Sequence, residues 1–193
     1  MARTSGGLAA ATANTLAAAF NDLLGQSTDA QDAISGTGAQ IPAATIFLMR
    51  IPLPASTVVT NVLLNIVTIG VTLTNSFAAI FRSSGAVVGQ SADQSTIWGS
   101  GGSTGNKTTA LVGGPFTLTP LAANDFIWTA FYIGTLVTSP FFAGGGVSPT
   151  ANIGTTVARS RAGTIGQANT ASLASIAPAG ITPTTTVTWS GIS

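Results

Sequence analysis

The sequence has no cysteine, no histidine and no glutamate, and its 193 residues carry only six basic and five acidic side chains. Each absence removes a class of chemistry. Without cysteine there is no disulfide framework and no thiolate metal site. Without histidine there is no imidazole to serve as general base, metal ligand or switch near neutral pH. Charged residues make up 6% of the chain, against about 25% in an ordinary soluble domain. So little charge means a surface of Thr, Ser, Asn, Gln and backbone, or one covered by other protein. The formal net charge is +1, and Arg3, Arg50, Arg82, Lys107, Arg159 and Arg161 are scattered apart from the last two. No electrostatic footprint for nucleic acid follows from that distribution.

Long uninterrupted apolar runs are missing as well. Residues 51–81 and 126–150 lack charge, but Pro52, Pro54, Asn61, Asn65, Gly70 and Asn75 break the first and Gly134, Pro140 and Gly144 to Gly146 the second. A spanning helix needs about 20 apolar residues in sequence, so no membrane span is expected. The N-terminus has one Arg and no compact leucine-rich stretch, so no secretory signal is read there.

What is present is β-branched and aromatic sequence in short runs. Residues 77–133 hold four apolar segments, each closed by turn residues. Phe77, Ala79 and Phe81 alternate with their neighbours, Ser83-Ser84-Gly85 signals a tight turn, and Phe116 and Leu118 alternate with Thr117 and Thr119. Phe126, Trp128, Ala130 and Tyr132 share one parity, and Ile127, Phe131 and Ile133 the other. A strand apolar on both sides belongs in the middle of a packed sandwich. Residues 45–53 open the β region, and 58–73 suit one long strand or two joined near Asn65 or Gly70. Residues 139–150 read as a Pro/Gly-rich loop, and 155–175 carry no clear period. Residues 184–190 predict a final strand with Val187 and Trp189 inward. About seven to nine strands result, the range of an antiparallel, jelly-roll-like β-sandwich.

Ahead of the β region, residues 8–24 are Ala-rich and helix-favouring. Leu16, Phe20, Leu23 and Leu24 form one apolar stripe at helical spacing, and Gly25 is a natural stop. A lone helix of that length needs a partner surface. The stripe packs on its own domain or docks the chain to a neighbour, and the assembly role is assigned to those four residues. Residues 26–44 read as a polar linker. The expected division is an anchoring arm and helix over 1–44 and a sandwich over 45–193.

No motif carries catalysis. Gly101 to Gly105 match G-x-S-x-G letter for letter, but the serine has no histidine to take its proton. Asn106 separates Gly105 from Lys107 in what would be the end of a P-loop, and no helix pattern follows. Asn106-Lys107-Thr108 is also a short glycosylation sequon. Asp93 and Asp125 are the acids of the β block, and a glycosidase would need them to converge. They read instead as turn caps. The expectation is no enzyme, no metal and no cofactor. Trp98 beside a polar loop is the candidate for stacking on a sugar, against a reading in which it closes the end of the sandwich. Lys107, Arg159 and Arg161 complete the surface-ligand candidates.

One stretch carries a resemblance. Phe81-Arg82-Ser83-Ser84-Gly85, Val88-Gly89-Gln90-Ser91-Ala92-Asp93-Gln94-Ser95-Thr96 and Trp98, followed by a Gly-rich segment, KTTAL and PFTLTP, resemble β-sandwich domains of virion proteins from bacteriophages that infect actinobacteria. These are minor tail or tail-fibre proteins. The resemblance spans about residues 45–193, and the chain departs from it at Asn124-Asp125, where the family commonly has Gly before the strand. It implies a virion component assembled in the host cytoplasm, in contact with other tail or capsid proteins. It further implies an oligomeric component that faces the host surface; a homo-oligomer, with a trimer favoured, is expected, its sandwich either binding a cell-surface glycan or clamping neighbours. A capsid decoration protein is the second reading, and a stand-alone carbohydrate-binding module the third.

Overall fold

The computed structural model describes residues 24–27, 39–145, 161–184 and 187–193. Leu16, Phe20 and Leu23 therefore lie outside the described residues, as does the expected helix up to its last position. Within the described residues the strands are β1 (Gly25–Gln26), β2 (Ala39–Gln40), β3 (Thr45–Pro52), β4 (Thr57–Val59), β5 (Asn61–Thr68), β6 (Thr74–Arg82), β7 (Val87–Gln90), β8 (Gly105–Ala110), β9 (Phe116–Leu118), β10 (Phe126–Thr135), β11 (Phe141–Phe142), β12 (Gly144–Gly145), β13 (Ala162–Gly166), β14 (Thr182–Pro183), β15 (Val187–Thr188) and β16 (Ser190–Ile192). One short helix, α1 (Ser95–Trp98), lies between β7 and β8.

The molecule is mainly β and sandwich-like, and every strand pairing is antiparallel. One six-stranded sheet runs β14-β13-β3-β10-β6-β7. The other is centred on β5, with β8 along one side and β16 and β11 end to end along the other; β1 and β2 lie outside those two. The strand parity read from sequence sets the layers. Met49, Ile51, Ile80, Ile127, Phe131 and Ile133 of the first sheet pack against Val62, Leu64, Ile66, Phe142 and Ile192 of the second.

The opposite face of the first sheet is equally apolar. Ile46, Leu48, Phe77, Phe81, Trp128 and Tyr132 are covered there by Leu173, Ile176 and Ile181. Residues 167–181 form a strap that leaves β13, crosses the sheet and returns to β14. Its course is fixed by Gln167 N donating to Ala44 O, Tyr132 Oη donating to Ala168 O, Leu173 N donating to Gln90 Oε1 and Ile176 N donating to Gly85 O. Each covered Leu or Ile contributes about 1.5–3 kcal/mol of burial. This strap is why β10 is apolar on both parities.

Three sequence expectations shift. The 58–73 run breaks at Thr60 and not at Asn65, and β5 ends at Thr68, two residues before Gly70; residues 69–73 then cross to β6. Val187 and Trp189 are buried, but it is Thr188, Ser190 and Ile192 that face the other sheet. Thr188 Oγ1 donates to Met49 Sδ, and the Ser190 and Thr129 hydroxyls bond to each other. Hydroxyls whose bonds are satisfied can occupy a position that an apolar parity rule gives to Val and Trp. The third shift concerns the arm: β1 and β2, both inside residues 1–44, are strands of the second sheet, and Ile41 belongs to the core between the sheets. Ser27 is buried, donating to Thr188 O and accepting from Ser190 N.

Candidate functional site

Of the four assembly residues, Leu24 alone falls within the described residues. It is 55% exposed, and its amide donates to Ile192 O, so it is extended chain leading into β1. Other exposed apolar side chains collect near the β5–β6 crossover. Val71 is bridged to Thr138, Val137 N donates to Val71 O, and Ile97 of α1 adjoins Trp98, whose carbonyl accepts from Gly70 N. Val137 is 71% exposed.

Trp98 does not offer a ring face to a sugar. It is fully buried, edge-on to Phe131 at 5.9 Å and to Phe142 at 5.3 Å. Phe131 and Phe142 stack with centroids 5.1 Å apart, so one aromatic from each sheet meets beneath the indole. The cause is the turn before α1. Asp93 Oδ1 accepts from Ser76 N, Ser95 N and Ser95 Oγ, which ties the start of α1 to the start of β6 and directs Trp98 inward. The surface-ligand role for Trp98 is corrected accordingly, and the tryptophan closes an end of the sandwich.

Lys107 sits on β8, at an edge of the second sheet, and its Nζ donates to Ser103 Oγ at 2.8 Å. The serine of the G-x-S-x-G match is thus an exposed loop residue held by a lysine. Asn106 is also on β8, with its side-chain oxygen accepting from Asn65 Nδ2 at 2.6 Å. Arg159 lies outside the described residues, and Arg161 immediately precedes β13. Trp98, Lys107 and Arg161 therefore occupy separate places and form no common site.

Asp93 and Asp125 also stay apart. Asp93 bonds to Ser76 and Asp125 to Ser83, at opposite ends of β6, which at strand rise is about 23 Å. A glycosidase pair needs roughly 5–10 Å. Burial pushes both carboxyls up. Asp93 is nevertheless held below its ordinary value by the Ser95 hydroxyl and the amides of Ser76, Ser95 and Asn75. Asp125 is held low by the Leu121 amide, the Ser83 hydroxyl, the Phe126 amide and the nearby Arg82 charge. Both are structural acceptors. Among the described residues no group of three or more acidic side chains could hold a metal ion, and no helix is long and apolar enough to cross a membrane.

A groove of about 540 Å³ runs beside β7, under the strap, lined in part by Asn75, Gln90, Asp93, Val112 and Leu173. Its polar side chains bond within the fold. Gln90 Oε1 accepts from Leu173 N, and Asn75 Nδ2 donates to Asn169 Oδ1 at 2.7 Å. The groove is the seam of the strap.

The densest charge lies at the other end of the first sheet. Asp125 accepts from Leu121 N, Phe126 N and Ser83 Oγ. The Arg50 guanidinium lies over the Phe126 ring, 4.0 Å from its centroid. Burial draws Arg50 below its ordinary pKa while the Asp125 charge opposes. The β3–β13 ladder pairs Met49 with Ala162, so one step further sets Arg50 opposite Arg161, and Arg50 N donates to Arg161 O at 2.8 Å. Sequence reasoning missed this pairing because the two arginines lie on distant strands and only sheet register joins them.

No family model matches the sequence, and no curated protein matches it.

Proposed function

We propose that this chain is a structural protein of a bacteriophage virion, a minor tail or fibre component. In this reading its N-terminal residues anchor it to other virion proteins and its sandwich faces the host surface. The observation that carries the reading is the surface: it has only six basic and five acidic residues in 193, and exposed Val71, Ile97 and Val137 collect near the β5–β6 crossover. Apolar surface of this kind suits a subunit covered by neighbours better than a free monomer. The resemblance in residues 81–98 supplies the virion context. That stretch is one contiguous unit here, comprising the end of β6, the turn at Gly85, β7, the Asp93 turn and α1.

Capsid decoration is the second reading, favoured by the apolar side chains near Val71, which suit clamping between neighbouring subunits. A stand-alone carbohydrate-binding module is less well supported, since Trp98 is buried.

Light scattering on the full chain and on a chain lacking residues 1–23 tests the anchor. The cut stops before Leu24 because β1 and Ser27 bond into the sheet. We expect an oligomer, a trimer or larger, that falls to a folded monomer on truncation. The same mass for both chains would overturn the anchoring role.

A further inference from the structure

We propose that Lys107 keeps the open edge of the second sheet, β8, from pairing with the same edge of a second copy of the chain. The proposal goes beyond the virion reading and does not depend on it.

An outer strand presents unpaired N–H and C=O groups that another extended segment can join. The other outer strands of the two large sheets offer little of this. β1 and β2 have two residues each, and β14 has two, the second a proline. β7 is covered where Val112 N donates to Gln90 O and Val87 N donates to Ser175 Oγ. β8 has six residues and pairs in unbroken register with β5 along its whole length. Among the described residues no strand pairs with its other side. Leu111 N donates to Thr60 O, so by alternation Thr109, Lys107 and Gly105 bond toward β5. The backbone groups of Asn106, Thr108 and Ala110 therefore point away from it. With two threonines at its centre, this edge has the composition of a pairing strand.

One side chain stands against pairing. Lys107 lies directly opposite Leu64, and Leu64 belongs to the core between the sheets. The lysine is therefore on the core-facing side of the edge, half-buried, with its Nζ donating to the neutral Ser103 Oγ at 2.8 Å. A charge pointing inward on an outer strand is a known guard against edge-to-edge pairing. Every strand pairing in this fold is antiparallel, and a second β8 joined in that sense must set even-numbered residues against even-numbered ones, because those carry the free groups. The two registers that use most of the strand are centred on Lys107 and on Thr108. The first sets two lysines directly opposite, with Cβ atoms about 4.5–5.5 Å apart, and the second sets them on a diagonal of about 7–8 Å. In either register two like charges lose water beside the apolar layers of two sandwiches, with no acid between them, which disfavours the pair.

The test is light scattering on the full chain at rising concentration, joined to amide hydrogen exchange, with the wild-type mass as reference. Lys107→Thr keeps a strand-forming residue and removes the charge. It should associate to about twice the wild-type mass or more, and exchange at the Thr108 and Ala110 amides should slow about 10-fold or more. Exchange at the Phe131 amide, in the middle of the first sheet, should stay as in wild type and so report an intact fold. Lys107→Glu should keep the wild-type mass, because two carboxylates repel as two ammonium groups do. The proposal is overturned if Lys107→Thr matches wild type in mass and exchange, or if it gains mass while Thr108 and Ala110 exchange as before. Association of Lys107→Glu to the same extent as Lys107→Thr would also overturn it, since charge would then not be the barrier. Should Lys107→Thr not fold, an equal mixture of wild type and Lys107→Glu takes its place. Opposite charges then face each other across the edge, so the mixture should associate with the same amide protection, and its failure to do so overturns the proposal.

Discussion

Asp93 and Asp125 are the residues whose local chemistry most directly governs how the protein responds to its surroundings. Each is folded with its carboxyl below the ordinary value, so each binds its proton less readily in the folded than in the unfolded chain. Their contribution is fully present above the unfolded value of about 4 and is lost as pH falls through the folded one. With no histidine in the chain, nothing comparable titrates near neutrality. The urea midpoint should therefore stay level from about pH 8 to about pH 5 and fall below about pH 4. In Asp93→Asn, whose amide oxygen can still accept from Ser76 and Ser95, part of that acid limb should flatten. An unchanged limb would show that the carboxyl is not held low. At this scale the sequence was informative about Asp93 and Asp125, because an Asp in a turn region bonds to nearby backbone. It was less so for Trp98. Local context set the indole beside a glycine-rich loop, and only the contacts with Phe131 and Phe142 decided which side of that loop it faces.

Among the elements, the strap is the one that sequence periodicity does not reveal. Residues 167–181 have neither a period of two nor one of 3.6, and yet Leu173, Ile176 and Ile181 pack on the outer face of the first sheet. Their effect was visible one step removed, in the double apolar parity of β10. What fixes the strap is a small number of long-range bonds, one of them to Gly85 in the turn after β6. Gly85 has φ +86, and a Cβ there would lie 2.0 Å from Ile176 O. Gly85→Ala combines an unfavourable backbone conformation with a steric clash, and should cost about 2–4 kcal/mol. It should also speed hydrogen exchange at the Ile176 amide, which donates to Gly85 O. Faster exchange at Ile176 with Phe131 unaffected would locate the damage in the strap. If Gly85→Ala matches wild type in both stability and exchange, the strap is not held at that turn. The final strand presents the complementary difficulty. Clean alternation of Val and Trp with Thr and Ser predicted one strand over 184–190. Val187 and Trp189 are buried, but the strand breaks at Trp189 into β15 and β16. Thr188, bonded to Met49 Sδ, and Ser190, bonded to Thr129, face the other sheet.

For the whole molecule, short alternating apolar runs closed by turn residues were enough to indicate a mainly β sandwich-like fold, and the antiparallel sheets agree with that much. The boundary drawn at residue 44 had no such support. Polar, turn-rich sequence from 26 to 44 looks like a linker, but two-residue strands such as β1 and β2 are too short to leave a pattern, and they attach this region to the second sheet.

The central claim is that the chain is part of a virion. It is tested most directly by labelling particles released from the cells that make it with a gold-conjugated antibody against the chain. The account predicts label on purified particles, at the tail or its fibres. Label on the capsid would move the assignment to a decoration protein. Purified particles that carry none of the chain, while it remains in the soluble fraction, would contradict the virion assignment.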